Sequence, residues 1–333
     1  MAHQKILNHI ALCVCTRNRP NYIRDFLLHL KDIDSLPRIC VIIDSSDSSV
    51  TEDIVKTFSP NSPIEIRWIS SLPGLPHQRN VGIDFLKSLS FVNQIKISSF
   101  LDDDIKVRPD YFEVVSQLFN EYQAAISIGG YCAGEAKVNN KSLVRRLTLI
   151  GSRKTGVILK SGFAIPPLPT IDVMETQWIQ GGSQNIRFEM FESEVFNGRI
   201  RMYGEDVEFY SRISKYGKIL CSKQLAVKHL EAAEDKDNLR SVQGYSDGFR
   251  WTLALNKRSG VRKSAVLLST SYLIIAELFI WCASFQERHK QILLGHLDFV
   301  VRVIRRAQVQ QFVDHAGSGP TPSPPINYHL SQP

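Results

Sequence analysis

The sequence lacks the paired cysteine spacing that marks many metal and redox sites. Six cysteines are scattered among 333 residues, and none of them forms a CxxC pair. No secretory signal peptide is recognisable at the start of the chain. Cys13 and Cys15 lie in an apolar segment, so we expect buried free thiols rather than metal ligands. This use of cysteine is typical of a reducing compartment, and we expect a cytoplasmic protein.

The sequence also lacks a concentrated basic patch and any internal repeat. Its 40 lysines and arginines exceed its 33 acidic residues by seven, and they are dispersed without an aromatic-basic array. A nucleic-acid partner is therefore not expected. A mild positive charge suits a ligand that carries phosphate, or an anionic membrane surface. The length is sufficient for one large domain with an appendage, or for two domains.

Short apolar segments alternate with helix-like segments over the first hundred residues. The predicted strands and helices, in chain order, are Ile10–Cys15, Tyr22–Leu30, Arg38–Asp44, Val50–Phe58, Ile64–Ser70, Pro76–Ser88 and Gln94–Leu101. The strands do not alternate between polar and apolar residues, which indicates a sheet buried on both faces. We therefore predict an α/β, Rossmann-like fold whose mostly parallel sheet is flanked by helices.

Polar residues follow several of these predicted strands. Thr16, Arg17 and Arg19 come after the first strand, Asp44 ends the second, and Asp102–Asp104 follow the fourth. Ligands of open α/β sheets bind beyond the carboxyl ends of the strands. We therefore expect these residues to meet at one site.

Asp102, Asp103 and Asp104 are adjacent and have no basic residue between them. In an extended segment, Asp102 and Asp104 would lie on the same side, where two carboxylates suit Mg²⁺ or Mn²⁺. Such a sparse ligand set points to a phosphate ligand that completes the shell. The alternative is a solvated acidic turn before the helix near Pro109. The buried strand that precedes the triplet favours the metal.

Two further groups bear on catalysis. Glu205 and Asp206 open a predicted helix, where the dipole stabilises carboxylates and a rim position would allow proton transfer from a hydroxyl. The alternative is a helix cap with surface charge. Arg212 is predicted on a similar face of that helix. His229 follows an apolar strand and is either a packed core residue or a further metal ligand.

Two glycine-containing segments leave alternatives open. In LPGLPHQRNVGI, Arg79 and Asn80 lie on a predicted helix, and Arg79 would contact a diphosphate or pair with an acid. In WIQGGSQNIRF, Gly181 and Gly182 allow close approach of a ligand or mark a tight turn. Trp178 would stack on a sugar or pack in the core.

The composition changes near residue 235. We predict a first domain over 1–234, a helical region over 235–314 that is a candidate for membrane association, and a disordered tail over 315–333. Ala265–Phe285 approaches the length of a membrane span, but Glu277 and several hydroxyl residues favour a buried or interfacial helix over a span. Basic residues that would suit anionic headgroups flank it, namely Arg258, Arg262, Lys263, Arg288 and Lys290.

Taken together, these segments resemble glycosyltransferase family 2, which has the type A nucleotide-diphospho-sugar transferase fold. The resemblance covers about Ile10–Leu230. It is carried, in order, by IALCVCTRNRP, VIIDSSDSS, LPGLPHQRNVGI, FLDDDIKVRPDYF, and WIQGGSQNIRF followed by YGEDVEFYSRISKYG, with AVKHL after them. The C-terminal helices look similar to those of bacterial rhamnosyltransferase-like members. The chain departs from the family at Val195–Gly198, where an acidic pair is usual, and at Ser222-Lys223, where a proline is frequent.

The resemblance implies inverting transfer of a sugar from a nucleotide-diphosphate donor to a saccharide or glycolipid hydroxyl, with Mn²⁺ or Mg²⁺. Synthesis of a cell-surface polysaccharide or glycolipid is the implied role, at the inner face of the membrane. Asp206 would be the general base, with Glu205 as the second choice. The residues implied to bind the donor are Thr16, Arg17, Arg19, Asp44, Arg79, Asn80, Asp102 and Asp103. Those implied to bind the metal are Asp102, Asp104 and His229. Those implied to lie on the acceptor side are Trp178, Gly181 and Gly182.

Two other functions remain open from the sequence. A sugar-phosphate nucleotidyltransferase shares the sheet and the metal, but it would need a glycine-rich loop with a lysine after the first strand. This chain has Thr16-Arg17-Asn18-Arg19 there. A non-catalytic carbohydrate-binding protein on the same scaffold would not need the intact acidic motifs.

Overall fold

A computed structural model describes residues 4–132, 143–200, 204–230, 239–256 and 259–305. The strands in these residues are β1 (Lys5–Thr16), β2 (Ser35–Asp44), β3 (Glu65–Ser70), β4 (Ile97–Asp102), β5 (Ile105–Lys106), β6 (Ala125–Gly129), β7 (Val157–Ile158), β8 (Ala164–Ile165), β9 (Val173–Glu175), β10 (Ser183–Arg187), β11 (Lys218–Ser222) and β12 (Lys228–His229). The helices are α1 (Pro20–His29), α2 (Val50–Phe58), α3 (Leu75–Ser88), α4 (Tyr111–Glu121), α5 (Leu143–Leu147), α6 (Glu205–Ile213), α7 (Leu239–Leu255), α8 (Lys263–Ser284) and α9 (Glu287–Ile304).

Eight strands form one sheet in the order β3-β2-β1-β4-β10-β6-β11-β9. The pairs among β3, β2, β1 and β4 are parallel, and so is the pair of β6 and β11. Strand β10 is antiparallel to both of its neighbours, and β9 is antiparallel to β11. The predicted α/β fold with a mostly parallel sheet and a helical C-terminal region is confirmed.

The centre of the sheet is buried on both faces, as the continuous apolar strands predicted. In β1, Leu12 and Val14 belong to one hydrophobic cluster, and Ala11 and Cys13 belong to another. Each of the four is at most 1 % exposed. Because successive side chains of a strand point to opposite faces, two helical layers must cover this sheet.

Each strand and helix predicted for the first hundred residues is present; α2 has the predicted bounds, and the other elements have shifted ends. The largest shift is in β1, which begins at Lys5 instead of Ile10. Its first residues alternate between exposed and buried positions, so they lack the continuous apolar pattern that marks the rest. The aspartate triplet also differs in shape, because Asp103 and Asp104 lie in a turn between β4 and β5 rather than in an extended segment.

Helices α7, α8 and α9 pack on one another at the C-terminal side. Phe285, with φ of 52°, separates α8 from α9 within the helical region predicted over 235–314. A buried charged cluster joins them. The Asp247 carboxylate accepts a hydrogen bond from Arg250 and lies 2.5 Å from Nδ1 of His296. Arg250 also donates to Ser269 Oγ at 2.8 Å.

The domain boundary at 234 and 235 stays a prediction, because residues 231–238 are outside the described part of the chain. The same holds for the tail over 315–333 and for the flanking Arg258.

Candidate active site

The sheet register brings the predicted site residues to one edge. Thr16 of β1 lies beside Asp44 of β2, and Cys15 lies beside Asp102 of β4. These positions are the carboxyl ends of three adjacent parallel strands. The order of strands reverses between β2 and β4 on either side of β1, which is the place where open α/β sheets form a crevice.

Asp44 is buried and held by neutral donors. One carboxylate oxygen accepts bonds from the backbone and side chain of Ser46, at 2.9 and 2.5 Å. The other accepts from Trp68 Nε1 at 3.1 Å. Arg17 is exposed beside this loop. Among the described residues, the groups that donate hydrogen bonds to Asp44 are neutral, which suits a carboxylate that recognises hydroxyls or a base.

The Asp103 carboxylate is hydrogen-bonded by β1 and the loop after it. Thr16 Oγ1 donates to it at 2.6 Å, and Arg19 donates to it at 3.1 Å. Burial raises the pKa of Asp103, and the bond from Thr16 and the charge of Arg19 oppose that shift. Thr16, Arg19 and Asp103 therefore form one unit that fixes the loop after β1 against the acidic turn.

Asp102, Asp104 and His229 form the candidate metal centre. Ligand atoms of the three residues all lie within 4.8 Å of one another. Pairing of β12 with β5 brings His229 opposite Ile105, and its Nε2 lies 3.1 Å from an Asp104 oxygen. The second Asp104 oxygen accepts from Arg19 at 2.8 Å. Two carboxylates and an imidazole at this spacing fit a divalent cation.

Arg79 lies beneath the acidic residues and is 1 % exposed. It donates to Glu205 Oε1 and to the carbonyl oxygen of Gly181, each at 3.2 Å. Of the two alternatives for Arg79, the structure shows pairing with an acid. Its charge also bears on Asp102. Burial raises the pKa of Asp102 to about 6, Arg79 opposes this shift, and Asp104 adds to it.

The two glycines after Trp178 allow the protein itself to approach closely. A Cβ atom on Gly182 would lie 2.9 Å from an Asp102 oxygen, and one on Gly181 would lie 2.8 Å from Arg79. A larger residue at either position would therefore require the Arg79 or Asp102 side chain to shift. Trp178 is buried and donates to the carbonyl oxygen of Ile165 at 3.1 Å, which is the core-packing alternative.

Asp206 lies in the first turn of α6 at the end of this acidic row. Gly204 precedes the helix with φ of 100°, a conformation that residues with a Cβ rarely adopt. The Asp206 carboxylate accepts from the backbone N–H groups of Val207 at 2.7 Å and Gly181 at 3.1 Å. Burial, and next to it the charge of Glu205, raises the pKa of Asp206 to about 7. A carboxylate with that pKa can accept a proton near neutral pH.

A continuous chain of contacts therefore joins Asp44 of β2, the aspartate triplet at the end of β4, and Asp206 of α6. Asp44 adjoins Thr16, Thr16 bonds to Asp103, Gly182 lies against Asp102, and Gly181 donates to Asp206. Two predicted residues lie at the margin of this row. Asn80 exchanges two hydrogen bonds with the backbone of Phe196 at 2.8 and 3.0 Å. Arg212 pairs with Glu194 and Glu208 rather than with Asp206.

The carboxylates of this edge outnumber the cations that touch them. Acidic groups are present at Asp102, Asp103, Asp104, Glu205 and Asp206, whereas the described ion pairs supply the guanidinium groups of Arg19 and Arg79. Adjacent carboxylates in a partly buried site repel one another. The excess of negative charge makes the site receptive to a further cation.

Two residues that contribute to the geometry of this site were not predicted from the sequence. Gln78 is buried and donates to the carbonyl oxygens of Thr16 and Ile43, both at 2.9 Å, which ties the ends of β1 and β2 together. Its position beside Arg79 in LPGLPHQRNVGI was the available signal. Phe249 of α7 lies against Gly204, since a Cβ there would be 2.5 Å from its ring. No sequence signal links those two distant residues.

Comparison with a solved mannosyltransferase structure supports the fold. The mannosyltransferase PcManGT from Pyrobaculum calidifontis, in complex with GDP-Man and Mn²⁺, aligns with a TM-score of 0.55 at 12 % identity. That alignment covers 90 % of this chain and 88 % of the other. The glucosyl-3-phosphoglycerate synthase from Mycobacterium tuberculosis aligns at 0.49 and 16 % identity, over 77 % and 82 % of the two chains. No curated protein sequence matches significantly.

The comparison with family models concerns the sequence itself. The model described as glycosyl transferase family 2 matches residues 11–181, which is just over half of the 333 residues. The match contains the loop after β1, Asp44, Arg79 and the aspartate triplet, and it ends at Gly181 before α6. The chain belongs to glycosyl transferase family 2.

Proposed function

We propose that this glycosyltransferase is an inverting, divalent-metal-dependent enzyme that uses a nucleotide-diphosphate sugar as donor. The observation that carries the proposal is the convergence of Asp102, Asp104 and His229 beside Asp206 at one sheet edge. The likeness in fold to a mannosyltransferase that binds GDP-Man and Mn²⁺ supports the same classes of ligand.

Asp102, Asp104 and His229 would hold the cation. When bound, such a cation neutralises the diphosphate of the donor and of the leaving nucleotide. The imidazole nitrogen favours Mn²⁺ over Mg²⁺, because Mg²⁺ takes oxygen ligands. Asp44, with Arg17 exposed nearby, would bind the nucleoside. Arg19 is assigned to the donor because its 40 % exposed side chain already reaches the metal-centre carboxylate of Asp104.

Asp206 would act as general base in the transfer step. The acceptor oxygen forms a bond to the anomeric carbon while the bond from that carbon to the diphosphate oxygen breaks. The acceptor proton passes to Asp206, whose two backbone hydrogen bonds fix the carboxylate but leave lone pairs for the hydroxyl. Attack on the face opposite to the leaving group inverts the anomeric configuration. General base catalysis contributes about 10²–10⁴-fold.

Glu205 is the second choice for the base, but its contact with Arg79 suits a different role. The carboxylate accepts from a fully buried guanidinium, so it is oriented away from free access to a substrate proton. Glu205 and Arg79 would position the Gly181-Gly182 segment, on which the acceptor would lie. The acceptor would be a saccharide or glycolipid hydroxyl, and the reaction would take place in the cytoplasm, in cell-surface polysaccharide or glycolipid synthesis.

A panel of nucleoside-diphosphate sugars, including GDP-mannose, tests the proposal. The purified full chain is incubated with each donor and Mn²⁺, and release of nucleoside diphosphate is measured without acceptor. We expect slow hydrolysis of one donor class, which chelation with EDTA stops and added Mn²⁺ restores. NMR of a glycosylated acceptor then gives the anomeric configuration, and a retained configuration would refute inversion.

The two alternative functions, a nucleotidyltransferase and a non-catalytic binding protein, predict different outcomes. A nucleotidyltransferase would form a nucleotide sugar and pyrophosphate from a nucleoside triphosphate and a sugar 1-phosphate. A non-catalytic carbohydrate-binding protein would bind a donor or saccharide without releasing any product.

A further inference from the structure

Helix α8 presents a mostly apolar stripe to solvent, with Ser271 as the exposed polar residue within it. It is the described helix that is long and apolar enough to cross a membrane, with a mean hydropathy of 1.9 over its best window, of which 22 % is buried. Leu267, Ile275 and Leu278 follow one another along one face, with Leu268 and Phe279 beside them. All five are exposed, and Phe279 is 72 % exposed. Phe285, just after the helix, is 80 % exposed and extends this α8 stripe.

In the first two turns of α8, the opposite face packs against the protein. Ala265, Val266, Ser269 and Thr270 are buried. Ser269 and Thr270 accept hydrogen bonds from Arg250 of α7 at 2.8 and 3.0 Å. A helix that spans a bilayer would make such hydrogen bonds in its first turns only where other parts of the protein surround it. The first two turns of α8 are therefore exposed on one face only, which fits an interfacial helix. Beyond Thr270 no residue of α8 is buried, so the apolar side chains there are open to a membrane.

Glu277 does not interrupt the stripe. Its position on the helix is about 140° or more from the centre of the stripe, by the 3.6-residue period. Its carboxylate lies 2.8 Å from Nδ1 of His289 on α9. Glu277, which weakens the interpretation of this segment as a membrane span, is thus turned inward and paired with His289. The stripe itself carries no charged side chain.

Basic residues lie at both ends of the helix. Arg262 and Lys263 are exposed at its start, and Arg288 is exposed after its end, with Lys290 close by and half-buried. The acidic residue among them is Glu287, which pairs with Lys290 at 3.3 Å. A helix that lies flat in a membrane surface places both of its ends at the level of the headgroups. The charge of the ends matches anionic headgroups, and the chain as a whole carries +7.

We propose that the α8 stripe inserts into one leaflet of an anionic membrane, with α8 parallel to the surface and its basic ends on the headgroups. This inference goes beyond the transfer reaction and does not depend on it. It also gives a physical reason for a lipid-carried acceptor, because α7 connects the base of α8 to the start of α6 through Phe249 and Gly204. The enzyme would then work on acceptors presented at the same surface.

Vesicle sedimentation tests the proposal with the full chain. Vesicles of phosphatidylcholine alone are compared with vesicles that contain 30 % phosphatidylglycerol, a composition chosen as roughly that of an anionic bilayer. We expect binding to the anionic vesicles and a decrease of about tenfold or more in Phe279→Ser/Phe285→Ser, since each phenylalanine loses its apolar burial. Ile171→Ser, at an exposed apolar residue of the first domain, is the matched control and should bind normally.

Charge and depth are tested separately. Arg262→Glu/Arg288→Glu should weaken binding to anionic vesicles, and added salt should weaken that of the unsubstituted chain, whereas Arg24→Glu should have no effect. Bromine-labelled lipids should quench the fluorescence of Trp281, which lies in the last turn of α8, and Trp281→Phe should remove that quenching. Quenching that persists without Trp281 would overturn the assignment of α8.

Three further outcomes would overturn the proposal. Equal binding to both vesicle types, or no binding to either, would exclude an anionic membrane as the partner of the stripe. A dimer in light scattering that Phe279→Ser dissociates would assign the stripe to a second copy of the chain. Protein that only detergent can extract, at any salt concentration, would indicate a span. Metal-dependent donor binding by calorimetry should be unchanged in the stripe variants, so failure here would leave the proposed transfer reaction untouched.

Discussion

The edge of the sheet and the interior of the α7–α9 helices both keep charged groups away from water, but they balance charge differently. In the helical region, the Asp247 carboxylate faces both Arg250 and His296, so basic partners surround one acid. At the sheet edge, a row of carboxylates shares the guanidinium groups of Arg19 and Arg79. In the helical region the acid is matched by basic groups in contact with it, whereas the sheet edge is left with excess negative charge.

This difference separates a structural cluster from a site. Buried charges that are fully paired hold elements together, and loss of one partner is costly because the other stays uncompensated. Carboxylates crowded without enough cations cost stability, and a ligand that supplies positive charge relieves that cost. The comparison predicts opposite effects of removing an acid in the two regions.

The largest effect is expected for Asp104→Ala at the sheet edge. The substitution removes a central member of the candidate metal centre, so binding of Mn²⁺ and metal-dependent binding of the donor should be lost in calorimetry. The free energy of unfolding should stay the same or rise, because repulsion within the triplet decreases. Asp110→Ala, at an exposed acid in the following loop, is the control and should bind normally. Normal Mn²⁺ binding by Asp104→Ala would refute the metal assignment.

A decrease of about 10²–10⁴-fold in kcat is expected for Asp206→Asn, because the amide cannot take the acceptor proton. Donor binding, measured by calorimetry with Mn²⁺, should persist. Glu205→Gln is the comparison variant, since its carboxylate is held by Arg79. Full activity in Asp206→Asn together with a larger loss in Glu205→Gln would transfer the role of base to Glu205.

In the helical region, Asp247→Ala should lower the free energy of unfolding by about 3–5 kcal/mol, because Arg250 and His296 would lose their buried partner. Urea unfolding followed by circular dichroism measures this change. Asp298→Ala provides a matched control in the same helices. It breaks a surface pair with Arg240, 2.7 Å long, and should cost about 0–1 kcal/mol. Similar losses in both variants would contradict the distinction between a closed cluster and surface charge.

The smallest expected effect is a pH dependence of kcat. Burial raises the pKa of Asp206 to about 7, and the base acts when deprotonated. The rate should therefore increase with pH through about 7 and fall by about tenfold for each unit below it. In Glu205→Gln the midpoint should move to lower pH, because a neighbouring negative charge is removed. A rate that is constant between pH 5.5 and 8 would exclude Asp206 as a base with this pKa.

Local sequence patterns were sufficient for the α/β fold and for the edge at which the site lies. Continuous apolar segments identified the parallel strands, and the polar residues after them identified the carboxyl ends. The pattern failed at the start of β1, where residues alternate in burial, and at Phe285, where a single backbone conformation ends α8. Neither feature changes the composition enough to be visible in a window of sequence.

Side-chain roles were harder to predict than positions. Arg79 could be assigned to a diphosphate or to an acid, and only the fold shows Glu205 beside it. Glu277 argued against a membrane span, and only the packing of α9 shows His289 as its partner. In both cases the partner is distant in the sequence, so no local pattern contains it.

The sequence by itself determined the order of the strands and helices over the first hundred residues, the acidic groups available, and the edge of the sheet that carries them, because these depend on local periodicity and on the direction of parallel strands. Only the tertiary structure decided which charges are neutralised and which remain in excess. Electrostatic balance depends on distances between residues far apart in the chain, and folding alone sets those distances.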